Sequence, residues 1–160
     1  MNDSVDLILQ QWKNTKPELN CSAMGIVGRL FRIESSWKKQ LETVFKQHKL
    51  SGIEFDILAT LYRSQIPLTP TELYQTLMLS SGAMSTRIEA LVQRQLIERI
   101  SSVKDRRSCK ITLTEEGKTI IDTAVTAHVA NMEVLLKPLK QMERIQLTSL
   151  LKKIVLADKL

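Results

Sequence analysis

The sequence has little of what a secreted, disulfide-stabilised or zinc-binding protein needs. Its 160 residues include two cysteines, Cys21 and Cys109, and these do not form a Cys-x-x-Cys pair. That spacing argues against a disulfide framework and against a zinc site. The N-terminal segment carries Asp3 and Asp6 and lacks a basic stretch followed by a sustained apolar run, so neither a signal peptide nor a membrane span is predicted. We therefore expect a cytoplasmic protein with reduced thiols, without a metal, a cofactor or a membrane partner.

Glycine and proline are also scarce, at five and four residues, which favours long helices with few breaks. Hydrophobic residues make up 43% of the chain and charged residues 25%, a composition that supports a buried core and argues against disorder. The length suits one domain with helical extensions. The sequence contains no phosphate-binding loop, nucleophile elbow or paired-carboxylate motif, so an enzyme is not expected.

Positive charge is concentrated in one part of the chain. The formal net charge is +6, and the segment Arg63–Lys110 carries eight basic residues against four acidic ones. That segment therefore holds most of the excess charge in less than a third of the length. Such clustering indicates a polyanionic partner, and double-stranded DNA is the leading prediction.

Two helices separated by a tight break are predicted inside this basic segment. Thr69-Pro70-Thr71-Glu72 has the residues of a capping box, with a proline at the first helical position. Leu79-Ser80-Ser81-Gly82 then interrupts the apolar pattern. A second helix is predicted from about Ser81 to Gln95, with Ser80 or Ser81 as its cap.

This second helix has two different sides. At about 100° per residue, Ile88 and Leu91 fall on the side of Met84 and face inward. The opposite side carries small and polar residues, which a recognition helix needs in order to enter the major groove. Arg87 falls about sixty degrees from Met84, so we expect it to meet another part of the protein or a phosphate rather than a base. The residues of the outer side are Gly82, Thr86, Glu89 and Gln93.

A β-hairpin is predicted to follow. Ile97–Ser101 has the pattern of one strand, and Cys109, Ile111 and Leu113 alternate with polar residues along the second. The alternation predicts that Cys109 faces inward as a buried, unreactive thiol. The connecting loop at 102–107 is polar and basic. Two helices followed by such a hairpin are typical of a winged helix-turn-helix.

Long helices are predicted on both sides of this module. Residues 4–15, 23–48 and 53–63 have apolar residues at helical spacing, and Thr114 caps a further long helix that precedes a last one. His128 lies on an apolar stripe, which favours packing over metal binding. The apolar area exceeds the needs of one small core and indicates a dimer interface.

The predicted fold class is therefore mainly α (α+β). A winged helix-turn-helix at 53–113 would form the DNA-binding region, and the helical regions 1–50 and 114–160 would form an intertwined dimerisation domain. Two-fold symmetry would place two recognition helices roughly 34–36 Å apart, one turn of DNA.

Three segments resemble the MarR family of bacterial transcription regulators: Phe55-Asp56, Ser80-Ser81-Gly82-Ala83-Met84 and Asp105-Arg106-Arg107. The resemblance covers nearly the whole chain, and LSSGAMSTRIEALVQRQLIER and KDRRSCKITLTEEG are similar to the family's recognition helix and wing. It implies one MarR-type domain over residues 1–160 and a homodimeric repressor that leaves a palindromic operator when a small ligand binds. Gln95 departs from the pattern, because glycine is common at its position.

The candidate DNA contacts come from this resemblance and from the helix pattern. In the family's D-x-R wing pattern, Arg107 would enter the minor groove and Asp105 would brace it. Among the residues of the recognition helix, contact with a base or with a phosphate is left open. The candidate set is Ser80, Ser81, Ser85, Thr86, Lys104, Asp105, Arg106 and Arg107.

A narrower resemblance concerns the N-terminus. Asp6–Trp12 and Pro17–Asn20 are similar to the extra N-terminal helix of the PecS and urate-responsive branch of the family. The branch implies a ligand-sensing set, and an arginine beside an indole suits a planar anion such as urate. An ion pair between Asp56 and Arg99 would join the pocket to the DNA-reading module. The matching residues are Trp12, Asp56, Arg87 and Arg99.

Several alternatives stay open. Cys21 lies in a connection between helices, so an oxidant-sensing repressor acting through its thiol is a minority hypothesis. A winged helix that binds proteins and not DNA is a hypothesis of another class. Trp12 could be a core anchor, Asp56 could serve the start of its helix, and the two arginines of the ligand set could contact phosphates or solvent.

Overall fold

The computed structural model describes residues 2–77, 81–101 and 109–157. Within these ranges the chain forms seven α-helices and one antiparallel pair of strands. Contacts divide the chain into two compact units, Met1–Thr43 and Val44–Leu160. The elements are α1 (Ser4–Thr15), α2 (Ser22–Gln47), α3 (Gly52–Ser64), α4 (Pro70–Leu77), α5 (Ser81–Gln93), β1 (Ile97–Ser101), β2 (Cys109–Leu113), α6 (Glu115–Leu135) and α7 (Gln141–Ala157).

Capping residues determine where α3 and α4 begin. The backbone N–H of Thr69 donates to Glu72 Oε2 at 2.7 Å, and Glu72 N–H donates to Thr69 Oγ1 at 3.2 Å. The capping box predicted for α4 is thereby confirmed. A second box starts α3, where Ser51 N–H donates to Glu54 Oε2 at 2.7 Å and Glu54 N–H returns to Ser51 Oγ at 3.3 Å. Both boxes satisfy amide groups that a helix start leaves without partners.

The core of the second unit joins the helices to the hairpin. α3 packs on α6 and β2, and α5 packs on β1. Strand β1 pairs with β2 in the register Ile97↔Leu113 to Ser101↔Cys109. Leu68, in the link before α4, forms an isolated antiparallel β-bridge with Ile111 of β2. The two backbone hydrogen bonds of this bridge have N···O distances of 3.0 and 2.7 Å. The base of the hairpin is thus fixed to the helix-turn-helix by backbone hydrogen bonds.

The recognition helix ends earlier than predicted. α5 stops at Gln93, and Gln95 adopts a left-handed conformation with φ 57°. Glycine favours this conformation and other residues enter it at a cost, which accounts for the glycine common at this position among resembling sequences. Leu96 N–H closes the turn on the carbonyl of Leu91 at 3.0 Å. The chain can then leave α5 directly into β1.

The prediction for Cys109 is wrong. Its side chain is exposed, although Ile111 and Leu113 in the same row of the strand are buried. Cys109 pairs with Ser101 on the last rung of the ladder, where the strand has run beyond the core. Alternation along a strand predicts which face a side chain takes, and it does not predict how far the core extends beneath that face.

The first turn of α6 is attached to the turn after α5. Thr114 Oγ1 accepts the N–H of Gly117 at 3.0 Å and donates to the carbonyl of Gln95 at 2.6 Å. Thr114 N–H donates to the carbonyl of Leu96 at 3.2 Å. A Cβ built on Gly117 would lie 1.9 Å from that same carbonyl oxygen. Only glycine allows α6 to approach the turn this closely.

Large apolar side chains remain exposed in both units. In the first unit most of them lie on α1 and α2, where Phe31 is 70% exposed. In the second unit most lie on the C-terminal half of α6 and on α7, a helix of 17 residues that buries none of them. None of the described helices is long and apolar enough to cross a membrane.

Candidate DNA-binding surface and effector residues

The outer face of α5 is open to solvent. Ile88 and Leu91 are almost fully buried, as predicted, and anchor the opposite side of the helix. A Cβ built on Gly82 would meet no atom within 4 Å. Thr86 donates its hydroxyl to the carbonyl of Gly82 at 3.3 Å, so this polar group remains close to the helix. The exposed residues of this face are Gly82, Ser85, Thr86, Glu89 and Gln93.

The predicted DNA contacts divide into described and undescribed residues. Ser85 and Thr86 are exposed on α5, and Ser81 is its first residue. Ser80 lies outside the described residues, as does the whole basic loop of the wing with Lys104, Asp105, Arg106 and Arg107.

Arg94 anchors the end of the recognition helix to α3. Its Nη1 lies 3.1 Å from Glu54 Oε1, and its Nη2 donates to the carbonyl of Lys49 at 2.7 Å. Lys49 has a left-handed backbone with φ 57°, which turns its carbonyl out of the preceding helix end. In the sequence Arg94 counts only as a positive charge, because Glu54 and Lys49 lie 40 and 45 positions before it.

Glu54 is a buried carboxylate with a full set of partners. Burial opposes its ionisation, but hydrogen bonds from the backbone and hydroxyl of Ser51 outweigh that effect. The positive charges of Arg94 and Arg87 act in the same direction, and the pKa of Glu54 is held below its usual range. Arg87 is exposed on α5, and its charge is the smallest of these effects on Glu54.

Arg99 connects the wing to the recognition helix. Its Nη2 lies 2.9 Å from Glu89 Oε2, and both side chains are about half exposed. Among the described residues, Glu89 is the carboxylate that pairs with Arg99. The direct ion pair between Arg99 and Asp56 that the sequence suggested is therefore not formed. The pair neutralises the carboxylate on the outer face of α5, which would otherwise repel DNA phosphates.

Asp56 lies beside a small aromatic cluster. The rings of Phe45 and Phe55 stack at 4.3 Å between centroids, and His128 contacts both at 5.3 and 4.9 Å. Asp56 has exposed surface, yet the surrounding protein lowers its hydration and raises its pKa against the opposing charges of His128 and Arg63. Burial also lowers the pKa of His128. His128 packs against both rings, as predicted. The described residues contain no cluster of groups that could hold a metal ion.

The predicted effector residues fall in both units. Trp12 is half-buried on α1, in the unit Met1–Thr43, and the other three belong to the unit Val44–Leu160. Within the second unit, Arg87 acts on Glu54, Arg99 binds Glu89, and Asp56 neighbours His128. Arg99 and Asp56 therefore have different neighbours within this unit.

Comparisons with known proteins agree with this arrangement. The model of the MarR family matches residues 48–108. The chain is 37% identical over 146 residues to the HTH-type transcriptional regulator PecS of Dickeya dadantii. This alignment covers 90% of the chain and 88% of PecS. The chain belongs to the MarR family.

Solved MarR-family structures have the same fold. The apo form of wild-type MarR from Escherichia coli superposes with a TM-score of 0.69 at 25% identity, covering 80% of this chain and 95% of that one. A mutant of the same protein complexed with operator DNA gives a TM-score of 0.71 at 23% identity over 90% and 97% of the two chains. This MarR-family chain is a helix-turn-helix transcriptional regulator that binds DNA, and its role is regulatory rather than enzymatic.

The fold gives Cys21 a basic neighbour that the sequence did not reveal. Cys21 is half-buried and shares a cavity of about 230 Å³ with Lys13. The two residues are eight positions apart and come together because the chain reverses between α1 and α2. This is the local setting on which the oxidant-sensing alternative for this MarR-family protein depends.

Glu54 makes the stability of the winged module depend on pH. Because its pKa is lower in the folded state, its ionised form stabilises the fold above the pH at which this carboxyl titrates in the unfolded chain, and this contribution is lost as the pH falls through the folded pKa. We expect Glu54→Gln to lower the free energy of unfolding by about 1–2 kcal/mol at neutral pH. Urea denaturation at decreasing pH should bring the variant and the wild type together, whereas a constant difference would contradict this assignment. Glu34→Gln, at an exposed position on α2, is the control.

Proposed function

We propose that the protein is a homodimeric repressor that binds a palindromic operator and releases it when a small, planar anion such as urate binds. The observation that carries the DNA-binding part is the outer face of α5. That face is open, consists of small and polar residues, and contains one carboxylate that Arg99 neutralises. A helix with these properties can enter the major groove without steric or electrostatic obstruction.

Rigid attachment of α5 supports the same proposal. Arg94 fixes its last turn to α3 and to the carbonyl of Lys49. Glu89, near its middle, is joined to β1 through Arg99. Phosphate contacts position a protein on DNA and base contacts give specificity, so a recognition helix held at two points keeps the wing and the helix in one register.

Exposed apolar surface supports the homodimer. α7 buries none of its side chains within one chain, and α2 leaves a row of apolar residues in water. Surface of this kind usually marks an interface, and two-fold dimers are the commonest assemblies. The proposed dimerisation regions are 1–50 and 114–160. Their exposed large apolar residues, among those described, are Leu7, Leu19, Met24, Ile26, Val27, Leu30, Phe31, Ile33, Val129, Met132, Val134, Met142, Ile145, Leu150, Leu151, Ile154, Val155 and Leu156.

The effector part depends on the resemblance and on three electrostatic observations. Arg99 uses Nη2 to bind Glu89, and a guanidinium has five N–H donors in all, so further donors can serve a ligand. Asp56 has a raised pKa and therefore a weakened preference for its charged form. Arg87 adds a second cation. A planar anion would suit the arginines, and the indole of Trp12 would supply a stacking surface.

The experiment that tests the proposal is selection of bound duplexes from random DNA, followed by titration of urate into the complex. We expect an enriched palindrome and release of the protein by urate. No enriched sequence would favour a winged helix that binds proteins. Release by peroxide that is lost in Cys21→Ser, without release by urate, would favour the oxidant-sensing alternative that the cavity shared by Cys21 and Lys13 supports.

A further inference from the structure

A guanidinium on α2 holds the first turn of α1. Arg29 Nε lies 2.7 Å from Asp3 Oδ2, and its Nη2 lies 3.1 Å from Asp3 Oδ1 and 2.6 Å from Asp6 Oδ1. One arginine thus binds two carboxylates, and it binds Asp3 through two nitrogens. Arg29 also donates from Nη1 to the carbonyl of Gly25 at 3.0 Å, which fixes its own side chain along α2.

The two carboxylates are themselves held in place. Asp3 is the N-cap of α1 and forms a capping box with Asp6, so both side chains are oriented before Arg29 binds them. The hydrogen bond from Arg29 is the largest of the effects that hold the pKa of Asp3 below its usual range. Isolated exposed ion pairs contribute little, but bidentate geometry and networks of several charges are the exceptions.

Close packing sets the distance between the two helices, and few contacts hold α1 otherwise. A Cβ on Gly25 would lie 3.3 Å from Leu9 Cδ1, and one on Gly28 would lie 3.7 Å from Val5 Cγ1. Val5 is the buried residue of α1. Van der Waals contact at the two glycines fixes how near α1 can come, but apolar contact is non-directional and specifies the position of α1 along α2 less sharply than an ionic contact does. The ionic contact supplies that register.

Trp12 lies two turns beyond Val5 on the same helix and is half-buried. A helix is stiff over this length, so a contact at its first turn determines where a side chain near its end lies. We propose that Arg29 is a positioning residue for Trp12: by binding Asp3 and Asp6 it sets the register of α1, and thereby the presentation of the indole. The consequence for effector release, though not the positioning itself, depends on the function proposed above.

Fluorescence of the full-length protein tests the positioning directly. The chain has two tryptophans, so Trp37→Phe leaves Trp12 as the reporter. In that background we expect Arg29→Gln to raise the acrylamide quenching constant of Trp12 about twofold, and salt to raise it in the parent protein because it screens exposed charges. The matched control is Arg32→Gln, since Arg32 donates to the carbonyl of Gly28 at 3.0 Å and binds no carboxylate among the described residues.

A second variant guards against a general loss of structure. Asp3→Asn with Asp6→Asn retains residues that can cap a helix but removes both partner charges, and it should reproduce the Trp12 signal of Arg29→Gln. Combining all three substitutions should add little, because residues of one network are not additive. Unchanged Trp12 quenching in Arg29→Gln, or an equal change in Arg32→Gln, would overturn the inference.

The effector response gives an independent readout. Arg29→Gln should leave operator affinity within about twofold and raise the urate concentration needed for half release at least about fivefold, within the usual range of coupling between sites. If urate fails to release even the wild type while the Trp12 signal still follows Arg29, the ligand part of the proposed function is wrong and the role of Arg29 stands.

Discussion

Replacing Gly117 with alanine should lower the free energy of unfolding by about 3 kcal/mol, at the upper end of what overpacking costs. The added Cβ would lie 1.9 Å from the carbonyl oxygen of Leu96 and 2.9 Å from its carbonyl carbon. Both are backbone atoms of the turn that joins α5 to β1, so no side-chain rotation can relieve the clash. The helix or the turn must move.

Movement at this point breaks other contacts. The carbonyl of Leu96 accepts the N–H of Thr114 at 3.2 Å, and Thr114 Oγ1 bonds both Gln95 and Gly117. Alanine favours a helix over glycine by roughly 1 kcal/mol, which is smaller than the expected loss. Thermal denaturation at a fixed protein concentration should show a lower Tm by several degrees, since each kcal/mol corresponds to about 2–4 °C in a chain of this size.

Gly82→Ala is the matched control for Gly117→Ala. Gly82 is also in the first turns of a helix, but a Cβ there would meet nothing within 4 Å. The same substitution should therefore stabilise the protein slightly, through helix propensity alone. Equal effects at the two positions would mean that helix propensity, and not the approach of α6 to Leu96, determines the role of Gly117.

Features coded by neighbouring residues were predictable from the sequence. Thr69 and Glu72 form their capping box because a helix start brings positions three apart together. The inward row of Ile88 and Leu91 follows from helical periodicity, and both are buried. α2 and α3 each begin one residue before the predicted start. The winged helix-turn-helix is a sum of such local signals, which is why its layout could be derived before any contact was known.

Features that depend on distant residues were not predictable. Arg94 reaches Glu54 and Lys49 only after α5 has packed on α3. Arg99 was expected to pair with Asp56, but the hairpin brings it to Glu89, ten residues away in sequence, and a nearer carboxylate gains more from the same cation. Cys109 illustrates the same limit, because the edge of a core is a property of the whole fold.

The types of residue at the candidate site were predictable from the sequence, but the contacts that position them were less so. The small, polar face of α5 followed from residue types at helical spacing, and Ser85 and Thr86 are exposed on it. The sequence could not reveal that Arg29 ties the first turn of α1 to α2, because Arg29 is 26 residues from Asp3 and 23 from Asp6. A sequence shows how many charged residues a chain has, but which of them form ion pairs depends on the fold that brings them together.

Replacing Arg107 with alanine should weaken operator binding about 30-fold or more. A base contact by arginine is worth about 1–3 kcal/mol, and a dimer presents two wings to one operator, so the smallest total is about 2 kcal/mol, or about 30-fold. Arg107 lies outside the described residues, and the prediction depends on the wing pattern Asp105-Arg106-Arg107 and on the fixed base of the hairpin at Leu68 and Ile111. Mobility shift with the selected operator measures the loss, and sedimentation should find the assembly state unchanged.

Two comparisons distinguish a groove contact from a phosphate contact. Arg107→Lys keeps the charge but loses the planar fork, so it should bind nearly as weakly as Arg107→Ala if the guanidinium reads the minor groove, and nearly as well as the wild type if it only neutralises a phosphate. Arg106→Ala should weaken binding to all duplexes alike and reduce the salt dependence by about one contact per subunit. Undiminished affinity of Arg107→Ala for the operator would remove the wing from the DNA-binding surface and leave α5 to carry recognition alone.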